Sequence, residues 1–143
     1  MTLGRALDGA LGKKGKTGEV VVEEGGAKAV VDVVDADRLG VTVKRVRVSR
    51  AEDRDVAEEA AALPERLRAL PERVEPVEVD PGLGGAILRT GPEDMRKREF
   101  FQVDVGERDV EVRRYRVEDE GRGEVDFTMT RGQLEQLIDE LKD

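Results

Sequence analysis

Residues 125–141 change period in the middle of an unbroken run. Val125, Phe127 and Met129 point one way and Asp126 and Thr128 the other, as a half-buried strand requires. Leu134, Leu137, Ile138 and Leu141 then fall on one face of a helix. Thr130 marks the switch. Its hydroxyl can accept from the Gln133 amide while the Gln133 side chain reaches back, a capping box, with Met129 and Leu134 placed as a hydrophobic staple. A strand that runs directly into an amphipathic helix obliges the helix to fold back over an apolar surface, and the rest of the chain has to supply it.

It supplies strands. Residues 2–11 read as a short helix behind Thr2, with Leu3, Ala6, Leu7, Ala10 and Leu11 as its stripe. Gly4 and Gly9 weaken this helix by roughly 1 kcal/mol each relative to Ala. A Gly/Lys loop over 12–18 leads to Val-rich strands at 19–23, 28–34 and 39–49. In the third, Val41 and Val43 lie on one parity and Val46 and Val48 on the other, which predicts a β-bulge at Lys44-Arg45. Residues 52–70 switch to a helical seam of Val56, Ala60, Leu63, Leu67 and Leu70, interrupted by Pro64, which either kinks the helix or ends it. Strands follow around 74–79, 86–90, 101–105 and 110–117, with a charged loop at 118–123. The expectation is one α+β domain spanning 1–143, a single antiparallel meander-rich sheet with helices packed on one face, in the order α-βββ-α-β(4-5)-α.

The pattern Val-x-Val-basic-Arg-apolar-Arg-Val occurs twice, at residues 41–48 and 110–117. Both copies shift parity at the basic pair, follow an antiparallel return strand, and precede a Leu-rich helix. This raises the expectation of two duplicated meander-plus-helix halves, 18–70 and 84–143.

Composition removes whole classes of chemistry. The 143 residues include no Cys and no His, which excludes thiol catalysis, imidazole bases, and the usual zinc, copper and haem sites. Ser49 is the only Ser and has no His to activate it. Aromatics are 3% of residues, poor equipment for stacking on bases, and the net charge of −8 repels phosphate backbones and suits a basic protein partner. No apolar run is long enough to span a membrane, and no signal peptide is evident, so a cytoplasmic location is expected.

The remaining candidates are few. Gly15, Lys16 and Thr17 close a loose phosphate-loop pattern, with Lys16 for a terminal phosphate and Thr17 for magnesium, yet a strand should precede such a loop and a helix should follow it. Asp32, Asp35 and Asp37, and the acids Glu52, Asp53, Asp55, Glu58 and Glu59, could hold a hard cation but lack a calcium-loop pattern. Arg96, Lys97 and Arg98, with the strand residues Lys44, Arg45, Arg47, Arg113, Arg114 and Arg116, could form a basic stripe for nucleic acid, or pair with neighbouring carboxylates. Leu63, Leu67 and Leu70 form an apolar strip that could face a partner. No catalytic residue, cofactor or metal is assigned. The reading is a non-enzymatic protein-binding or chaperone-like module, expected to be a homodimer, on the grounds of an acidic, chemistry-poor chain with an a/d-like helix at 56–70 and strands able to offer edges.

The run of helix, three strands, helix, further strands and the amphipathic helix with Leu134, Leu137, Ile138 and Leu141 resembles the type III secretion chaperone fold. That resemblance implies a small, acidic, cytoplasmic homodimer that binds extended segments of secreted proteins on exposed apolar strips. The extra strands after Val74 depart from the simple pattern.

Overall fold

The computed structural model describes residues 1–13, 15–91 and 98–143. The elements run α1 (Leu3–Leu11), β1 (Gly18–Glu24), β2 (Ala27–Ala36), β3 (Gly40–Ser49), α2 (Val56–Arg66), β4 (Val74–Asp80), β5 (Gly85–Thr90), β6 (Glu99–Gly106), β7 (Asp109–Glu118), β8 (Gly121–Val125), β9 (Phe127–Thr130) and α3 (Arg131–Lys142). Among the described residues all nine strands belong to one antiparallel sheet, ordered β1-β2-β3-β7-β6-β5-β4, with β8 paired to β7 and β9 to β3. The α+β architecture expected from the periodicities is present, with six strands after α2. The last two are halves of one segment, separated by Asp126 alone.

That segment is a wedge. Residues 45–49 of β3 pair with β7, while residues 40–43 pair with β9. Correspondingly, residues 109–113 of β7 pair with β3 and residues 114–118 with β8. β3 and β7 therefore diverge at Arg45 and Arg113, and residues 121–130 fill the gap. The expected loop at 118–123 is in fact largely strand: Gly121, at φ +113°, supplies a turn that an L side chain rarely adopts, and lets the chain reverse immediately.

One sheet face carries the core. Val20, Ala29, Val31, Val43, Val46, Val48, Leu88, Val103, Val110 and Val112 are buried there beneath the helices. α1 and α3 cover the β1–β3 half and α2 covers β4, β5 and β6. The α3 stripe of Leu134, Leu137, Ile138 and Leu141 is fully enclosed, so its apolar face is core. Both arms of the capping box are made: the Gln133 amide donates to Thr130 Oγ1 at 3.0 Å and the Thr130 amide to Gln133 Oε1 at 2.8 Å.

Gly4, which looks like a weakness in α1, is where α1 meets α3. A Cβ there would collide with the Glu135 carbonyl oxygen, whereas one at Gly9 would meet nothing. The Gly4 amide donates to Asp139 Oδ1 at 2.8 Å. α2 is shorter than the 52–70 seam. Asp55 caps it by accepting from the Glu58 amide at 3.0 Å. The helix passes through Pro64 and stops two residues later, at Arg66. Leu67 leaves the helix with extended dihedrals and residues 69–72 bend, so the seam finishes outside the helix.

The bulge expected in β3 is present. Opposite β2, the partner jumps from Arg45 to Val43 and leaves Lys44 unpaired; Val34 is the matching extra residue on β2. β7 behaves differently: its register with β6 is unbroken from Arg116 to Val110. Its parity shift is a change of face. Tyr115 and Val117 leave the core side, and Tyr115 stacks on Phe100 with ring centroids 5.7 Å apart. Among the described residues no helix is long and apolar enough to cross a membrane.

Candidate functional site

The sheet face away from the helices is a transverse lattice of polar side chains. One row reads Glu19, Asp32, Arg45, Arg113, Gln102, Arg89 and Glu75 across neighbouring strands, and the next reads Val21, Val30, Arg47, Glu111, Asp104, Ile87 and Glu78. The arginines occupy the middle strands and are matched to carboxylates. Arg45 lies 2.8 Å from Asp32, Arg47 2.6 Å from Asp109, and Arg113 3.0 Å from Glu111. Burial works to raise the Asp109 carboxyl, but hydrogen bonds from Ser49 and Arg47 hold it below the usual carboxylate range. The hydrogen bond that Arg113 donates to Glu111 raises the Arg113 guanidinium.

Those pairings bear on the basic-stripe candidates. Arg114 and Arg116 lie on the helix side of the sheet, where Arg114 covers the Phe101 ring at 4.5 Å and both approach Glu99. The strand arginines are thus divided between two faces and partnered on each. Arg96 and Lys97 lie outside the described residues.

Leu63, Leu67 and Leu70, the expected partner-facing strip, are 0%, 3% and 5% exposed. The chain's own sheet covers them, so they line the core rather than the surface. The 12–18 loop runs from α1 into β1, so neither the preceding strand nor the following helix of a phosphate loop is there. Gly15 packs against Ala36, where a Cβ would collide with the carbonyl oxygen, and the Lys16 amide is bonded to Leu11 O at 3.0 Å. Lys16 and Thr17 are exposed, and Lys14 lies outside the described residues.

Several of the acids singled out in the sequence have structural duties. Asp37 Oδ1 accepts from the Leu39 and Gly40 amides at 2.8 Å each and closes the β2–β3 turn. Asp53 pairs with Arg108, and Asp55 caps α2. Glu59, 6% exposed, is the centre of a buried cluster. Its Oε1 accepts from Arg50 at 3.0 Å and from Arg66, with Arg54 at 3.5 Å. The same three arginines reach the carbonyls that end α3: Arg66 to Glu140 O at 2.9 Å, Arg50 to Leu141 O at 3.3 Å, and Arg54 to Lys142 O at 2.8 Å. Burial works to raise the Glu59 carboxyl, but the Arg66 hydrogen bond and the charges of Arg66, Arg50 and Arg54 outweigh it and hold the group below its usual range. Burial, the largest influence on Arg50, pulls that guanidinium down. The cluster is a clasp: it joins α2 to the negative end of the α3 dipole.

An open hollow of about 430 Å³ lies on the outer face by β4, lined by Glu78, Asp80, Asp104, Asp109 and Glu111 around Ile87. Among the described residues no three acids are arranged to hold a metal ion.

The two sheet edges remain. β4 carries Pro76, which offers no amide, and a register break between Pro76 and Glu78. β1 has neither proline nor bulge, and its seven residues pair with β2 in unbroken register. Val21 stands 44% exposed at its centre between Glu19 and Glu23. No family model matches the chain, and no curated protein or solved structure is significantly similar to it.

Proposed function

We propose that the protein is a non-enzymatic, cytoplasmic protein-binding module of chaperone-like character, and that it takes an extended polypeptide segment onto the open edge of β1. The observation that carries this reading is the edge itself. A regular seven-residue strand presents unpaired backbone groups beside an exposed valine, while α1 and the sheet behind it hold it in place. Strand addition of this kind draws affinity from main-chain hydrogen bonds and specificity from alternate side chains. The chain's other features agree. Cys and His chemistry are absent, and most of the conspicuous charges are spent on structure. The resemblance in element order to secretion chaperones, which bind extended segments, points the same way.

The test is site-specific crosslinking in cells. A photoreactive residue at position 21 should form adducts with a polypeptide, whereas one at position 77 on β4 should form few. Equal yields at the two positions, or none at position 21, would refute strand addition at β1.

A further inference from the structure

The charges along β1 narrow the kind of strand that fits. Cross-strand pairs lie on one face of a sheet, so Glu19, Val21 and Glu23 share the outer face, and Val20 and Val22 face α1. On β2, the residue opposite Glu19 is Asp32, another acid, and Asp32 is already held by Arg45 at 2.8 Å. Glu23 faces Lys28, yet among the described residues neither Glu19 nor Glu23 forms an ion pair. The edge therefore ends in two exposed carboxylates flanking an apolar centre.

A second copy of this chain meets that pattern badly. Antiparallel pairing of two β1 strands over their whole length centres on Val21 and sets Glu19 directly opposite Glu23 of the other copy, twice. Like charges in direct opposition destabilise a sheet pair, and Val21 against Val21 does not remove them. A strand with a cation at each flanking position meets it well. The same two sites become opposite-charge pairs and the apolar centre is kept. The net charge of −8 draws such a segment in from a distance.

We infer that the β1 edge is an acceptor for a basic extended segment of the form cation–apolar–apolar–apolar–cation, bound antiparallel with its cations opposite Glu23 and Glu19, and that the two glutamates keep the protein from pairing with itself. This rests on the reading of β1 as a binding edge and specifies the chemistry of its occupant.

Two synthetic peptides test it on the full chain, one with the core Lys-Val-Val-Val-Lys and the other with Glu-Val-Val-Val-Glu, by fluorescence anisotropy at low and high salt. The lysine peptide should bind at least about tenfold more tightly, the scale of two cross-strand pairs changing sign, and should weaken as salt rises. The double variant Glu19→Lys/Glu23→Lys should reverse the preference. The single variant Glu19→Lys should make the edge self-complementary, with the introduced lysine of one copy opposite Glu23 of the next, and should shift the protein from monomer toward dimer in sedimentation. Both variants alter exposed positions, and circular dichroism verifies that they fold. Equal binding of the two peptides, or a wild-type protein that already dimerises with β1 protected from hydrogen exchange, would overturn the inference. Failure of both peptides alongside persistent crosslinking at position 21 would overturn this occupant while sparing the reading of β1 as an edge that binds protein. Failure of the peptides and of the crosslinking together would remove the reading as well.

Discussion

The two ends of the sheet solve the same problem in different ways. At the β4 end, Pro76 offers no amide and the irregularity before Glu78 breaks the ladder, which blunts the edge against an incoming strand. At the β1 end the ladder is regular and only glutamates stand guard. A missing amide and a broken ladder weaken pairing with any partner, whereas a carboxylate disfavours only strands of like charge. The helices above these edges are held differently too. α2, over β4, is tied to the C-terminal end of α3 by the buried Glu59 clasp. α1, over β1, is tied to the N-terminal end of α3 by Arg131, which pairs with Asp8 at 2.8 Å and donates to Gly12 O at 2.6 Å, and it packs on α3 at the bare backbone of Gly4. One end anchors its helix through a buried carboxylate beneath a closed edge, the other through a partly exposed ion pair and a close backbone contact beneath an open one.

The largest effect should come from breaking the clasp. Glu59→Ala leaves Arg50, Arg54 and Arg66 without their shared anion and should cost about 3–5 kcal/mol in urea unfolding, the scale for removing one partner of a buried ion pair. A loss below about 1 kcal/mol would show that the α3 carbonyls alone hold the arginines. At the other end, Gly4→Ala should destabilise by about 1–3 kcal/mol because the Glu135 backbone has to move. Gly9→Ala, one helical face away with open space around it, should stabilise by up to about 1 kcal/mol. If both alanines acted alike, α1 would be responding to helix propensity and not to contact with α3.

Acid should also separate the ends. The folded Glu59 carboxyl titrates below its ordinary value of 4.5, so its contribution is complete above that pH and is lost as pH falls through the folded value. Glu59→Gln should flatten the acid limb of the stability profile, measured by thermal melts between about pH 2 and pH 6. The smallest effect on stability belongs to the open edge. Val21→Lys, at an exposed position, should stay within about 0.5 kcal/mol of wild type yet abolish binding of the lysine peptide.

Much of this architecture is legible in local patterns. The capping box at Thr130 and Gln133, the alternating valines and the bulge at Lys44 depend on neighbours in sequence, and each is found where periodicity places it. The parity shift at Arg113-Arg114 shows where that reasoning stops. The same letters that mark a bulge in β3 mark a change of face in β7, where the register with β6 is unbroken and Tyr115 finds its cross-strand partner Phe100 on the outer face. Leu63, Leu67 and Leu70 could equally face a partner or a sheet in a one-dimensional reading, and here the sheet takes them. The clasp left one unused clue: Glu59 sits on the same helical stripe as Val56, Ala60 and Leu63, where an acid has to find a buried cation. Which strands are edges depends on the pairing of β3 with β7, a contact between distant segments that no local pattern encodes.

The open β1 edge is tested most directly by residue-resolved hydrogen exchange, recorded by NMR with and without the lysine peptide. In the free protein, amides of β1 that point away from β2 should exchange fast. With peptide they should become protected, while amides of β4 stay unchanged. Slow exchange throughout β1 in the free, monomeric protein, or protection appearing elsewhere on peptide addition, would contradict the assignment of β1 as the binding edge.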